Sequence, residues 1–126
     1  MRANKGTNTG PELALRKTLR SRELTGYRLH RKGLPGRPDI TFWRARVADF
    51  VHGCYWHRCS RCKLPLPKTQ TMFWKAKLDR NRARDKRDCR QLEKDGWRVL
   101  TLWECEVEER AAMCARRVAA LVGQRR

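Results

Sequence analysis

The spacing of apolar side chains near the start of the chain predicts a helix. It runs over residues 11–24, where leucines recur at helical spacing with basic side chains between them. Pro11 suits the first turn of a helix, Asn8 or Thr9 can cap it, and Glu12 favours the positive end of the helix dipole. The apolar side of this helix is predicted to comprise Leu13, Leu15, Leu19 and Leu24.

Alternating or continuous apolar runs later in the chain predict a sheet. Strands are predicted over residues 27–32, 38–43, 46–51 and 97–103. The link between the second and third strands is short enough for a hairpin. Further helices are predicted over residues 71–95 and 106–122. The order α-β-β-β-α-β-α predicts an α/β fold in which helices flank a central mixed sheet.

Length and net charge limit the classes of protein to which this chain can belong. The chain of 126 residues predicts one domain over residues 11–126, preceded by a polar segment at residues 1–10. A net charge of +18 suits a polyanionic partner, although a ribosomal-type basic protein would show it too. Five tryptophans argue against a disordered basic tail.

The absence of a long apolar run excludes a membrane span and a signal peptide from the predictions. We therefore expect a cytoplasmic, reducing compartment, in which six cysteines point to a metal or to free thiols.

Cysteines and histidines concentrate in residues 52–62, which hold three of the six cysteines and two of the three histidines. Cys59 and Cys62 form a C-x-x-C pair, Cys54 precedes it by five residues, and Cys105 is the best-placed fourth thiol. Such a set favours structural zinc, while free thiols, a redox pair or His57 as one ligand stay open. Two further cysteines, Cys89 and Cys114, fall inside predicted helices and are expected in the core.

A candidate for catalysis is Asp39, which follows a Leu-Pro-Gly-Arg-Pro turn and opens a predicted strand. A carboxylate at a sheet edge can hold Mg²⁺ while the ion keeps several waters, although an aspartate after proline is also a common turn former. The next strand delivers His52 and His57 beside it. A metal-bound carboxylate with an imidazole is a workable set for hydrolysing a phosphodiester.

Several motifs in order resemble the very short patch repair (Vsr) endonucleases. They are Leu-Pro-Gly-Arg-Pro-Asp at 34–39, His-Gly-Cys-Tyr-Trp-His at 52–57, Pro-Lys-Thr at 67–69, Phe-Trp at 73–74, Gly-Trp-Arg-Val-Leu at 96–100 and Trp-Glu-Cys at 103–105. The resemblance spans nearly the whole chain. It implies a restriction-endonuclease-like, PD-(D/E)xK core and an enzyme that nicks double-stranded DNA 5′ to the thymine of a G·T mismatch.

The resemblance also implies roles for single residues in catalysis. Asp39 matches a Mg²⁺ ligand, and Val51 stands where a backbone carbonyl binds the same ion. His52 and His57 match active-site histidines, with His57 the better candidate for activating water. Glu12 matches a helix carboxylate that supports this histidine or the hydrated ion.

A zinc set is implied in the same way. It consists of Cys54, Cys59, Cys62 and Cys105, which would staple the loop; Cys59 stands where a histidine is expected, giving a site of four cysteines. At Asp49 an apolar residue is usual. Its carboxylate could be an added ligand or could lie on the face opposite His52, and strand alternation favours the second.

Contacts with DNA are implied for two regions. Tyr55 and Trp56 match an aromatic pair that wedges into the base stack, and Met1 matches a second wedge in the segment 1–10, which is short here and is expected to act as a DNA-binding arm. The long basic helix is expected to follow the phosphate backbone, unless it is merely a solvated face. The expected phosphate contacts are Arg37, Lys68, Lys75, Lys77, Arg80 and Arg84.

The resulting hypothesis is a Mg²⁺-dependent, zinc-stapled DNA endonuclease that acts as a monomer, with mismatch-repair proteins as candidate partners. Two rivals stay open: a restriction-like nuclease of the same fold with another target, and a zinc-stabilised DNA-binding module without catalysis.

Overall fold

Seven elements follow each other in the computed structural model, which describes residues 9–54, 59, 62 and 65–123. They are α1 (Gly10–Ser21), β1 (Arg28–Leu29), β2 (Ile40–Phe42), β3 (Val47–His52), α2 (Thr71–Lys94), β4 (Arg98–Trp103) and α3 (Glu104–Gly123). The predicted order α-β-β-β-α-β-α is therefore confirmed.

The four strands form one mixed sheet in the order β1-β2-β3-β4. Strands β1, β2 and β3 pair antiparallel, whereas β3 and β4 pair parallel across the connection that contains α2. In the antiparallel register Ile40 lies opposite Asp49, and in the parallel register Val51 lies opposite Leu102. The central position of β3 explains why five of its six residues are buried.

Helices cover both faces of the sheet, as predicted. On one face α1 and α3 pack over a core that includes Leu15, Leu19, Ile40, Val47 and Val118. On the other face α2 contributes Leu92 to a smaller core with Ala48, Phe50 and Trp97. Successive residues of β3 alternate between these two cores because side chains of a strand point to opposite faces. Each fully buried leucine contributes roughly 1.5–3 kcal/mol to stability.

The prediction of which residues α1 buries is wrong at Glu12 and Leu13. The buried residues are Glu12, Leu15 and Leu19, whereas Leu13 is 48% exposed. Positions three and four residues apart share a helix face, so Glu12 occupies the core-facing row and Leu13 is rotated out of it. Thr9 caps the helix as predicted, since its hydroxyl accepts a hydrogen bond from the Glu12 N–H at 3.3 Å.

Several predicted boundaries are wrong by a few residues. The first strand contains only Arg28 and Leu29, because His30 takes a left-handed backbone conformation (φ 49°) that leaves the ladder. The second strand ends at Phe42, and the final helix begins at Glu104 rather than at residue 106. This early start follows from Glu106, whose carboxylate accepts the Trp103 N–H at 3.1 Å.

The turn before β2 is packed so tightly that it requires glycine. Gly36 has φ +75°, and a Cβ there would lie 3.1 Å from the Phe50 ring and 3.2 Å from Asp88 Cβ. The turn is thereby wedged between β3 and α2, which fixes the point where Asp39 enters the sheet. Across the described part of the chain, no helix has the length and apolarity needed to cross a membrane.

Candidate active site and metal centre

Asp39 is fixed at the entrance to β2 by three hydrogen bonds. Its carboxylate accepts the Val51 N–H at 2.7 Å, its own N–H donates to the Asp49 carbonyl at 3.0 Å, and its carbonyl accepts the His30 N–H at 3.1 Å. Burial raises the pKa of Asp39 to about 7, against the lowering effect of the Val51 hydrogen bond, and the charge of Glu12 raises it further. A cation bound beside this carboxylate would offset the free energy that burying its ionised form costs.

A second carboxylate, Glu12, reaches the same place from the first turn of α1. Its side chain is 1% exposed, and its Oε2 lies 2.6 Å from His30 Nε2 and 3.6 Å from Arg16 Nη1. Two cationic or donor groups therefore hold a carboxylate that would otherwise be costly to bury. The predicted site residue Glu12 is brought near Asp39, and its partners there include His30 and Arg16.

His30 is the functional candidate that the sequence analysis missed. One ligand atom each from Glu12, His30 and Asp39 lie within 4.8 Å of one another, which is a spacing that one metal ion can bridge. The prediction that residues 27–32 form a strand treated His30 as an ordinary strand position. Two features could have pointed to His30. It is one of only three histidines in the chain, and it directly follows β1, the strand that pairs with β2 next to Asp39.

Asp49 adds a third carboxylate on the α1 side of the sheet. It is fully buried, and neither of its carboxylate oxygens has a hydrogen-bond partner in the described structure. Burial raises the pKa of Asp49 to about 8, and the nearby charge of Asp39 adds to this rise. Asp49 lies opposite Ile40 in the register, so it shares the face on which α1 places Glu12.

The position of His52 agrees with the expectation that Asp49 and His52 occupy opposite faces. The His52 ring lies 5.6 Å from the Phe50 ring and 5.3 Å from the Trp103 ring, centroid to centroid. These neighbours place it on the α2 side, whereas Glu12 and Asp49 are on the α1 side. Asp49 therefore lies on the face of the sheet opposite His52, and this is also the face on which Asp49 can approach Asp39. A position opposite His52 and a role as an added acidic group at the site are compatible.

Four thiols gather where the loop after β3 meets the start of α3. The sulfur atoms of Cys54, Cys59, Cys62 and Cys105 lie within 4.8 Å of one another. Cys59 Sγ and Cys105 Sγ are 3.9 Å apart, close to the ~3.8 Å that a tetrahedral ion with Zn–S bonds of about 2.3 Å requires. The donor set therefore fits zinc.

Surrounding hydrogen bonds and burial support this arrangement of thiols. The Cys59 N–H donates to the Cys54 carbonyl at 3.0 Å, and the Cys54 N–H donates to Glu104 Oε1 at 3.2 Å. Burial is the largest cause that raises the pKa of Cys54 and Cys105, and a bound cation would favour their thiolates. Cys114 lies in the core as predicted, and Cys89 is half-buried outside the four-thiol cluster.

The expected phosphate contacts lie on exposed segments. Arg37 follows the Gly36 turn, Lys68 precedes α2, and the others lie on α2. Lys75 pairs with Asp79 at 2.9 Å, Lys77 Nζ lies 5.4 Å from the Trp74 ring centroid, and Arg84 donates to Asn81 at 3.2 Å. Only Leu78 and Leu92 of this helix are fully buried.

Four of the predicted site residues fall outside the described residues. They are Met1, Tyr55, Trp56 and His57.

The fold and the clustered carboxylates define a class of protein, the restriction-endonuclease-like DNA endonucleases. The chain belongs to the Vsr family within that class: the family model described as DNA mismatch endonuclease Vsr matches residues 1–63. Membership of an endonuclease family also removes the rival hypothesis of a DNA-binding module without catalysis.

Three curated relatives support the same family. The type II nicking enzyme V.XorIIP of Xanthomonas oryzae pv. oryzae is 45% identical over 92% of this chain and 85% of its own length. The DNA mismatch endonuclease Vsr of Escherichia coli K12 is 39% identical over 87% of this chain and 70% of its own length. The type II nicking enzyme V.NmeAIP of Neisseria meningitidis is 38% identical over 90% of this chain and 80% of its own length.

Proposed function

We propose that this protein is a Mg²⁺-dependent endonuclease that nicks one DNA strand 5′ to the thymine of a G·T mismatch. The observation that carries the proposal is the fixed Asp39 carboxylate at the sheet edge, with Glu12 within reach of the same ion. The mismatch target rests on the resemblance to Vsr endonucleases and on the relative that is named a DNA mismatch endonuclease.

Asp39 and the backbone carbonyl of Val51 would hold the Mg²⁺ ion. The N–H and the C=O of one strand residue point to the same neighbouring strand, and the Val51 N–H already donates to Asp39. The Val51 carbonyl is therefore directed to the Asp39 side, and its role does not depend on the valine side chain. When bound, Mg²⁺ supplies charge stabilisation for the phosphodiester under attack.

Proton transfer in this proposal falls to His57 in the segment after β3, with His52 at the end of β3 as a supporting group. His57 takes the proton of the attacking water, and His52 supports the loop or the phosphate from the α2 side. Glu12 lies 2.6 Å from His30 Nε2 and orients the groups around the ion. The thiols of Cys54, Cys59, Cys62 and Cys105 would hold zinc as a structural ion, which ties the segment after β3 to the start of α3.

Binding of DNA combines backbone contacts with insertion into the stack. Lys75, Lys77, Arg80 and Arg84 on α2, with Arg37 and Lys68, would meet phosphates without reading sequence. Tyr55 and Trp56 would enter the base step that a mismatch already weakens, with Met1 as a second wedge.

Replacing Asp39 separates chemistry from binding. Asp39→Asn keeps an acceptor for the Val51 N–H but removes the charge that holds the ion, so the nicking rate on a G·T duplex should fall by at least about a hundredfold. DNA affinity, measured without divalent ions, should change less than about threefold. The exposed Asp95→Asn is the control and should nick normally. Unchanged nicking by Asp39→Asn would refute the assignment of Asp39 as metal ligand.

A second candidate function is nicking at another target. It is favoured by the relatives that are named type II nicking enzymes rather than mismatch endonucleases. A panel of matched and mismatched duplexes distinguishes the two.

A further inference from the structure

The carboxylate cluster at the sheet edge contains a nitrogen donor that the proposed Mg²⁺ site does not use. His30 presents an imidazole nitrogen within 4.8 Å of ligand oxygens from both Glu12 and Asp39. Ligands on adjacent corners of an octahedral ion at ~2.1 Å stand about 3 Å apart, so the 2.6 Å between His30 Nε2 and Glu12 Oε2 needs only a small opening.

The backbone holds His30 in this place. Its N–H donates to the Asp39 carbonyl at 3.1 Å, directly after the pairing of Leu29 with Ile40. Its left-handed conformation (φ 49°) is uncommon for residues other than glycine and turns the chain away from the β1 ladder. The side chain is 22% exposed, so an ion can reach the imidazole from solvent while Glu12 lies buried behind it.

Asp49 provides a second and independent sign that a cation belongs here. Both of its carboxylate oxygens are buried and lack a hydrogen-bond partner in the described structure. Its position opposite Ile40 puts it on the Glu12 side of the sheet, and its backbone carbonyl accepts the Asp39 N–H at 3.0 Å. Buried polar atoms without a hydrogen-bond partner are rare in folded proteins, and an ion bound nearby is one explanation for them.

We propose that His30 is a direct ligand of the active-site ion together with Asp39 and Glu12, so that the site is a mixed nitrogen–oxygen site that selects Mn²⁺ over Mg²⁺. The inference deepens the proposed function, because it concerns the ion at the same catalytic carboxylate. Asp49 lies behind the ligands on the same face of the sheet without being one of them.

The chemistry of the donors gives the reason for this selection. Mg²⁺ demands oxygen ligands and keeps several waters, so an imidazole adds little to its binding. Mn²⁺ shares the preference of Mg²⁺ for carboxylate and water, but as a first-row transition ion it also accepts imidazole nitrogen, the ligand that suits its neighbours Fe, Ni, Cu and Zn. His30 should therefore raise the affinity for Mn²⁺ selectively.

The test combines Mn²⁺ binding with spectroscopy on the zinc-loaded full chain, without DNA. Mn²⁺ and Mg²⁺ affinities are measured by titration calorimetry, and electron spin echo envelope modulation detects nitrogen bound to Mn²⁺. His30→Gln is the informative variant, because the Gln amide can still donate to Glu12 but offers no imidazole. His52→Asn is the comparison, because His52 lies on the other face of the sheet.

We expect one Mn²⁺ per chain, absent in Asp39→Asn, with a nitrogen coupling that disappears in His30→Gln and persists in His52→Asn. Removal of this ligand should lower Mn²⁺ affinity by about tenfold or more, while Mg²⁺ affinity changes less than about threefold. Zinc content and thermal unfolding verify that each variant is folded, and His30→Asn replaces His30→Gln if the latter is not.

The outcomes separate this inference from the proposed function. Asp39-dependent Mn²⁺ binding without nitrogen coupling, or with coupling that survives removal of the His30 imidazole, would overturn the role of His30 and leave the catalytic site standing. Equal changes in Mn²⁺ and Mg²⁺ affinity would reduce His30 to a positioning residue for Glu12 and overturn the inference as well. Binding that does not depend on Asp39 would contradict the metal centre itself.

Discussion

Asp49 shows how one buried residue couples the stability of this fold to its chemistry. Its carboxylate is fully buried beside Asp39, and its pKa is raised to about 8 chiefly by burial. In the unfolded chain the same carboxyl ionises near its ordinary value of 3.8. The folded protein therefore binds a proton that the unfolded chain releases, and stability falls as pH rises between about 4 and 8.

Asp49→Asn should remove this dependence, because an amide resembles the protonated carboxyl in shape and charge. In buffer without divalent ions, the variant should match the wild type near pH 4 and become the more stable protein by pH 8. The difference in unfolding free energy should grow by up to about 1.4 kcal/mol per pH unit between these values. Urea unfolding at a series of pH values measures the difference.

The exposed Asp79→Asn is the matched control for this series, and its difference from wild type should stay flat above pH 5. An Asp49→Asn difference that is equally flat would mean that Asp49 is already balanced in the folded protein and would contradict the raised pKa.

At the scale of elements, α2 is a helix that uses little of its surface for packing. Only two of its 24 residues are fully buried, whereas basic side chains recur along its length. It covers the sheet face opposite to α1 and α3. Such a helix has its charged surface available for a polyanion.

The proposed contact of α2 with phosphates predicts a change in salt dependence. The double variant Arg80→Gln with Arg84→Gln should weaken binding to matched and mismatched duplexes alike. It should also reduce the slope of log affinity against log salt by about one for each phosphate that the helix no longer neutralises. Arg116→Gln on α3 is the control for the loss of an exposed arginine, since it removes one positive charge on the other face of the molecule. An unchanged slope would make α2 a solvated surface.

The four-thiol cluster joins the loop after β3 to the start of α3. Cys105→Ser should release zinc and destabilise the fold by about 3 kcal/mol or more, because losing a structural metal belongs to the largest single-residue effects. Metal analysis and thermal unfolding check this. Cys89→Ser lies outside the cluster and should keep one zinc per chain. Full zinc content in Cys105→Ser would refute the set of four cysteines.

The elements of this fold were predictable because local patterns determine them, and their ends were not. Helical spacing of leucines and alternation in the strands predicted all seven elements in order. The early end of β1 depends on the left-handed backbone of His30, and the early start of α3 depends on the Glu106 carboxylate that accepts the Trp103 N–H. Neither feature can be read from one-dimensional periodicity.

At the scale of the whole molecule, the sheet assembles a site from distant parts of the chain. Asp39 was recognisable from its motif, but Glu12 meets His30 across 18 residues, and Asp49 joins them only through the register of β2 with β3. Such contacts come from tertiary packing, which is why the sequence identified Glu12 only through resemblance and did not identify His30. The cysteine cluster was predictable because three of its four thiols lie within nine residues of the sequence.

The central claim is that this Vsr-family endonuclease acts on a G·T mismatch. The most direct measurement incubates the zinc-loaded protein and Mg²⁺ with end-labelled duplexes that differ only in one base pair, one set matched and the others carrying G·T or another mismatch. We predict a single nick, on the strand with the mismatched thymine and immediately 5′ to it, at a rate on G·T at least about a hundredfold above that on matched DNA. Equal cleavage of the matched duplex, or a nick at a fixed sequence whether or not the mismatch is present, would contradict the claim.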